Sequence, residues 1–370
     1  MRMYRVTKNI WVFVVLVCIC VSGCSTLKIL SKKTERLKTK HMPYAGLYEL
    51  KGALHIHSKY PQNPNSIDDI VSSARKAGLD FILITDHDTL KTLEDGKEGF
   101  YGDVLVLIGE EVTTPVGHLL VWGIEKPIVS RSPREIINEV KKQNGLVCVA
   151  HPFAREYSWK DWDVTGFNGI ELYNTQANII KENPIWLGIK SIIHSPDDFF
   201  RSTAKVSPEA IQKWDELLKE RKTIAIGSTD AHERHGLPGF EFDSYDIMLR
   251  TVSCHVNVPS FDKKSIIEAF RKGCFYISFD LFGFPEGFLF YLKRGEKEFP
   301  VGSILKLMKG DKIIVEVNKR SHIRLISNGK VIRKLDGVRL DYTPQYKGYY
   351  RVEVYKDKKP WIFSNPLYLE

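Results

Sequence analysis

The sequence predicts an α/β protein: a parallel sheet, open or closed into a barrel, followed by a small antiparallel β-sandwich. Three observations carry this. From about residue 50 to 283 short apolar runs alternate with stretches of helical period, as in βα units. Beyond that point the runs alternate with period two and no helical stretch separates them. Between two of those late runs stands Asn328-Gly329, the favoured two-residue hairpin turn. At 370 residues the chain exceeds one usual domain, and 43% hydrophobic with 11% aromatic residues supply a core.

GALHIH (52–57) is the first strand. Ser66 caps the helix that follows, with Asp69 at the capping-box position and Gly78 as its stop. LDFILIT (79–85), VLVLIGEEV (104–112) and HLLVWGI (118–124) are further strands. Ser132 and Pro133 open a helix that stops at Gly145. LVCVA (146–150), GIEL (169–172) and TIAIGS (223–228) are strands again, with a helix near 208–221 before the last. DKIIVEV, SHIRLIS, KVIRKL, GYYRVEVY and KPWIFS are the strands of the tail. The expected organisation is a leader over 1–24, a basic tether over 25–48, an α/β domain over 49–285 and a β-sandwich over 286–370.

The formal charge of +9 is an uneven property of the chain. Arg2, Arg5 and Lys8 carry part of it, and residues 25–40 hold six basic residues against one acid, which leaves residues 41–370 close to neutral. A long nucleic acid is therefore not expected as a partner, because its affinity would rest on phosphate neutralisation by the folded part. Three basic residues precede an apolar run from Ile10 to Val21, too short to span a bilayer comfortably, and Val21-Ser22-Gly23-Cys24 closes it. That ending resembles a bacterial lipobox. It implies a lipid anchor on Cys24 and an extracytoplasmic place in the cell envelope, on the periplasmic face of an outer membrane where one exists. Only Cys148, Cys254 and Cys274 lie beyond the leader, so no disulfide framework is expected, and Cys148 in LVCVA reads as a small buried hydrophobe.

Eleven histidines are present, and their placement follows the strands. His55 and His57 end the first strand as H-x-H, a spacing that sends both rings to one side of a pleat. Asp86-His87-Asp88 follows LDFILIT; Glu110-Glu111 closes the next strand and His118 opens its partner; His151 follows LVCVA; Asp230 and His232 follow TIAIGS as D-x-H. Five strand ends thus each deliver a metal-competent side chain to the face where α/β sheets build their sites.

Leu54-His55-Ile56-His57-Ser58, Ile84-Thr85-Asp86-His87-Asp88, Gly109-Glu110-Glu111-Val112, Ala150-His151-Pro152 and Ser228-Thr229-Asp230-Ala231-His232 resemble, in order and spacing, the motifs of the PHP (polymerase and histidinol phosphatase) superfamily over about residues 50–280. The resemblance implies a distorted (β/α)7 barrel with two or three divalent metal ions, Zn, Mn or Fe. It implies that His55, His57, Glu111 and Asp230 hold one metal. Glu111 would bridge to a second held by His118 and His151, and His87 and His232 would serve a third. Glu111 takes the bridging place because it stands two residues after Gly109, and Asp86 is expected to orient a ligand from outside the metal's own shell. The tail, with Arg351-Val352-Glu353-Val354 and Pro360 to Pro366, looks like the terminal sandwich of the carbaryl-hydrolase-like branch. Two positions depart from the pattern: Ala53 stands where relatives often carry Asp, and Gln62 stands in the place of a carboxylate for the third metal.

The chemistry so implied is metal-assisted hydrolysis by a metal-bridging hydroxide, with Glu111 and Asp230 central and Arg155 placed to clamp a phosphate. The expected enzyme is a phosphoesterase on small organic phosphates or nucleotides. The alternatives are a carbamate, ester or amide hydrolase and a non-catalytic metal-binding lipoprotein. No obligate protein partner is called for. Glu171 and Asn174 share a strand end and read equally well as structural. Arg234 and His235 stand near the D-x-H motif, and Phe153, Tyr157, Trp159 and Trp162 form a pocket wall or simply pack. His41, His194, His255 and His322 match no motif and read as structural or surface.

Overall fold

The computed structural model describes residues 46–63, 66–183, 190, 193–232 and 244–370. The leader, Cys24 and nearly all of the tether therefore lie outside the described residues. From residue 42 onward the chain forms one compact unit.

The elements in order are β1 (Tyr48–Ile56), α1 (Ser66–Lys76), β2 (Phe81–His87), α2 (Lys91–Glu94), β3 (Gly99–Tyr101), β4 (Val104–Thr114), β5 (Gly117–Trp122), α3 (Pro133–Lys142), β6 (Leu146–Val149), β7 (Gly169–Asn174), α4 (Thr175–Ile180), α5 (Pro196–Thr203), α6 (Pro208–Glu220), β8 (Ile224–Ser228), α7 (Tyr245–Met248), β9 (Ser253–Val258), α8 (Lys263–Lys272) and β10 (Phe275–Ser278). The tail adds β11 (Leu289–Arg294), β12 (Lys297–Pro300), β13 (Ile304–Leu305), β14 (Lys312–Ser327), β15 (Lys330–Tyr342), β16 (Gly348–Lys356), β17 (Lys359–Ser364) and β18 (Leu367–Leu369). This is a mixed α/β fold built on one large sheet.

The helices are amphipathic for visible reasons. α1 buries Ile67, Ile70, Val71 and Ala74, a stripe at helical spacing that packs on Ile82, Ile84, Val104 and Val106. α6 has Pro208 in its first turn and Ser207 accepting from Ala210 N, while α8 is capped by Asp262 and ends at Gly273 with φ +71.

Strand pairing closes a ring. β1 pairs β2 and β2 pairs β4 in parallel; β4–β5 and β5–β6 are antiparallel; β6–β7 and β7–β8 are parallel again. The segment after β8 returns to β1 through Thr229 N to Leu54 O at 3.1 Å and His57 N to Ala231 O at 2.8 Å. Alternation of strand and helix is thus interrupted where β4 to β6 run as a meander.

The sheet does not stop at residue 286. β9 pairs β1, β10 pairs β9, and β10 also pairs β17 with Tyr276 opposite Ser364. The tail has its own apolar cluster, including Phe290, Val315, Leu325, Val352 and Trp361, yet Tyr276 of β10 belongs to it too. DKIIVEV and SHIRLIS are one bulged strand, β14, not two. Asn328 (φ 50) and Gly329 (φ 78) both take the left-handed backbone that a two-residue hairpin needs. Asn365 ties the tail to the ring: its side chain accepts from Ala225 N at 2.9 Å and donates to Ala225 O at 3.1 Å.

Candidate metal centre

The strands bring His55, His57, His87, Glu111, His118, His151, Asp230 and His232 together at one end of the ring. Glu111 is its middle. Oε1 lies 2.8 Å from His118 Nδ1 and 2.9 Å from His151 Nε2. Oε2 lies 3.1 Å from His55 Nε2, from His57 Nε2 and from His87 Nδ1. Asp230 Oδ1 stands 3.4 Å from His57 Nε2 and 3.6 Å from His55 Nε2. His232 stacks on His57 with ring centroids 4.0 Å apart, and its Nδ1 faces the Asp230 carbonyl at 2.9 Å.

Two expectations about how these residues get there need correction. Glu110 and Glu111 do not close a strand; β4 runs on to Thr114, and pairing with β5 sets Glu111 opposite Leu120. His55 and His57 do not converge through the pleat. β1 ends at Ile56, its register with β2 shifts between Ala53 and Ile56, and His55 has φ 58. His151 (φ 27) and Asp230 (φ 55) share this left-handed backbone, uncommon outside glycine. Local backbone strain, not strand periodicity, aims these three side chains. Gly109 has a packing reason: a Cβ there would collide with the Val121 carbonyl and displace β5, which carries His118.

A ring of hydrogen bonds outside the cluster orients it. Glu171 is buried, lies 2.7 Å from His55 Nδ1 through Oε1, and accepts from His151 N at 2.6 Å and Asn174 Nδ2 at 3.0 Å through Oε2. Asn174 Nδ2 also donates to Asp230 Oδ2 at 3.1 Å. Asp86 accepts from Ser58 N, Ser58 Oγ and Thr92 Oγ1 and so fixes the loop after His57. Ala53 packs in the apolar core, and Gln62 is exposed. The remaining candidates scatter. Arg155 is exposed and lines the cavity above the cluster; His255 is buried between Glu49 and Asp280; His322 pairs with Asp336; His194 is exposed. Trp159 is buried, Phe153 stacks on Trp162, and Tyr157 stacks on His118 and lines the cavity above the cluster. His41, Arg234 and His235 lie outside the described residues.

Electrostatics prepare the site for cations. Burial pushes Glu111 and Asp230 up, but His55 and its neighbours outweigh it and hold both carboxyls below their ordinary range. Burial lowers His55, yet Asp230, Glu171 and Glu111 leave it well above its ordinary value. His87 is pulled down to about 4 by desolvation, against the pull of Glu111. Burial likewise pushes Glu110, on the other face of β4, up to about 7.

The donor set fits divalent metal ions. A carboxylate has about four lone-pair sites, and five imidazole nitrogens lie within 3.1 Å of Glu111. Among the described residues, buried His57 Nε2 and His151 Nδ1 have no hydrogen-bond partner. Among the same residues, His, Asp and Glu donors gather within 4.8 Å in four overlapping groups, three of which contain a carboxylate. The fourth, His57, His87 and His232, contains none. His87 belongs both to that group and to one with Glu111 and His118, so the ligand sets overlap more than the resemblance implied.

Glu171 is the functional residue that sequence reasoning underweighted. The signal was a carboxylate inside an otherwise apolar strand, and only its pairing with His55, 116 residues away, reveals the role.

No family model matches the chain. Among solved structures it is similar to a two-domain protein containing a predicted PHP-like metal-dependent phosphoesterase from Bacteroides vulgatus, at 16% identity and a TM-score of 0.47 over 88% of this chain and 96% of that one. It is also similar to a lesion-specific endonuclease from Pyrococcus furiosus, at 14% identity and a TM-score of 0.39 over 60% and 56% of the two chains. Among curated proteins it is 30% identical over 142 residues, 34% of this chain, to the uncharacterized protein MJ1587 of Methanocaldococcus jannaschii, and the match spans 82% of that protein. On that identity and coverage, the chain belongs to the family of the Methanocaldococcus jannaschii protein MJ1587.

Proposed function

We propose that the chain is a PHP-type metal-dependent hydrolase on a distorted (β/α)7 barrel, and that it acts as a phosphoesterase on small organic phosphates or nucleotides. One observation carries this: the two oxygens of Glu111 face different histidine sets, His118 and His151 on one side, His55, His57 and His87 on the other. A carboxylate so placed would bridge two cations. His55, His57 and Asp230 would hold one ion and His118 and His151 the other, while the all-histidine group with His87 and His232 lacks the charge for a firm third. Bound there, divalent ions supply Lewis acidity toward the substrate oxygens and an activated water.

The chain's own residues do the positioning. Glu171 accepts a hydrogen bond from His55 Nδ1–H and so turns the Nε2 lone pair to the cluster. Asn174 occupies Asp230 Oδ2 and leaves Oδ1 toward His55 and His57. Arg155, on the cavity wall, is placed to hold a phosphate oxygen. The cavity of about 350 Å³ takes a small molecule, in keeping with the near-neutral charge of residues 41–370. In the net reaction water's oxygen joins phosphorus, the ester P–O bond breaks, one proton goes to the leaving oxygen and the other stays on phosphate. With a lipid on Cys24 the enzyme would work at the outer side of a membrane.

The test is metal analysis of the chain from residue 25 onward, beside turnover of p-nitrophenyl phosphate, nucleotides and carbaryl with Mn, Zn or Fe supplied. About two ions per chain and phosphate release are expected. Turnover of carbaryl alone would favour the carbamate alternative. Neither metal nor turnover would leave a non-catalytic protein.

A further inference from the structure

We infer that Tyr157, with Ile180, makes the site select phosphate esters whose leaving group is a flat aromatic ring, an inference that rests on the hydrolase reading above. Tyr157 stacks on His118, one of the metal-centre histidines, with centroids 4.9 Å apart and planes 25° apart. A ring has two faces, and His118 takes one; the residue is still 65% exposed. Its backbone sits in the left-handed region at φ 57, uncommon for so bulky a residue, and its ring lies against His118 with little burial. Its neighbours in sequence show the contrast: Trp159 is 4% exposed and donates to Asp161 O, and Phe153 lies against Trp162.

The same cavity is lined by Ala154, Ala177 and Ile180, and Ile180 is 42% exposed there. Above a floor of imidazoles and carboxylates, then, stands a wall with one open aromatic face and exposed aliphatic carbon. Arg155 stands on the same wall as a cation for the phosphate. A hydrophilic leaving group such as glycerol would gain nothing from that wall. An aromatic ring would gain offset stacking on Tyr157 and apolar contact with Ile180. Hydrolysis then releases the aromatic alcohol, which takes one proton from water, and inorganic phosphate.

The test uses phenylphosphonate and methylphosphonate, which carry no ester bond and so report binding apart from turnover. Their dissociation constants are measured by calorimetry on metal-loaded protein, the metal content of each variant being determined first. The wild type is expected to prefer the phenyl compound by about tenfold, Tyr157→Ala to reduce that ratio to about twofold or less, and Tyr157→Phe to keep it. Should Tyr157→Ala lose metal through His118, Ile180→Ser carries the same expected fall from a different element. Equal binding of the two phosphonates by the wild type, binding of neither, or a ratio that survives both Tyr157→Ala and Ile180→Ser overturns the inference. Phosphatase activity without the preference overturns the inference and leaves the hydrolase reading standing; the preference without activity on any ester overturns both.

Discussion

Two knots of buried charge can be set side by side, one around Glu111 and one around Arg351. Arg351 is 1% exposed, and its Nε and Nη2 each donate to Asp215 at 2.8 Å while Nη1 donates to Glu353 at 2.6 Å. Two phenols join the cation: Tyr349 donates to Asp215 at 2.9 Å and Tyr355 to Glu353 at 2.9 Å, and the guanidinium lies over Trp214. Each guanidinium nitrogen of Arg351 has a carboxylate acceptor. Around Glu111 the count does not match, two ring nitrogens are left over, and a cavity opens above. Density of charge is the same kind of fact in both places. What separates a site from a strut is whether protons alone can satisfy it.

Glu111→Gln should have the largest effect, because it removes the negative charge that five imidazoles surround and sets an amide N–H₂ against them. Outer-shell changes at metal sites cost about 10–100-fold, so loss of this ligand should lower metal affinity and turnover by more than about a hundredfold; full metal content by elemental analysis would break the contrast. Arg351→Met comes next. It leaves Asp215 and Glu353 buried without their cation and should cost about 3–5 kcal/mol in urea unfolding, while the protein that stays folded keeps its metal. Replacing all three residues by apolar ones should recover most of that loss, as for a matched buried ion network. The smallest effect is expected from Glu171→Gln, which keeps the shape but weakens the hold on His55. A fall of about 10–100-fold in metal affinity, with unfolding little changed, would mark Glu171 as a positioning residue. An equal loss of stability with no change in metal affinity would instead make it a strut like Asp215.

Much of the site was legible before any coordinates because its ligands come in short spaced motifs, H-x-H, D-x-H and G-x-E, and each motif is local. The rest was not, for particular reasons. The aim of His55, His151 and Asp230 depends on positive φ values that no residue type announced. Glu171 acts across the ring, and Arg351, visible only as part of a tail motif, finds Asp215 at a separation of 136 residues. The period-two tail was plain, but its continuity with the ring rests on β10 pairing β17, a contact that no pattern in either strand encodes.

Asn365 lends Ala225 the donor and acceptor that a neighbouring strand would provide, and Ala225 lies in β8, the strand that leads to Asp230. The strand that leads to the site therefore takes these backbone partners from one side chain 140 residues further along the chain. Without that amide, as in Asn365→Ala, β8 would hold an unpaired amide and carbonyl at Ala225. Docking of the tail and the readiness of the site to take metal are thereby coupled.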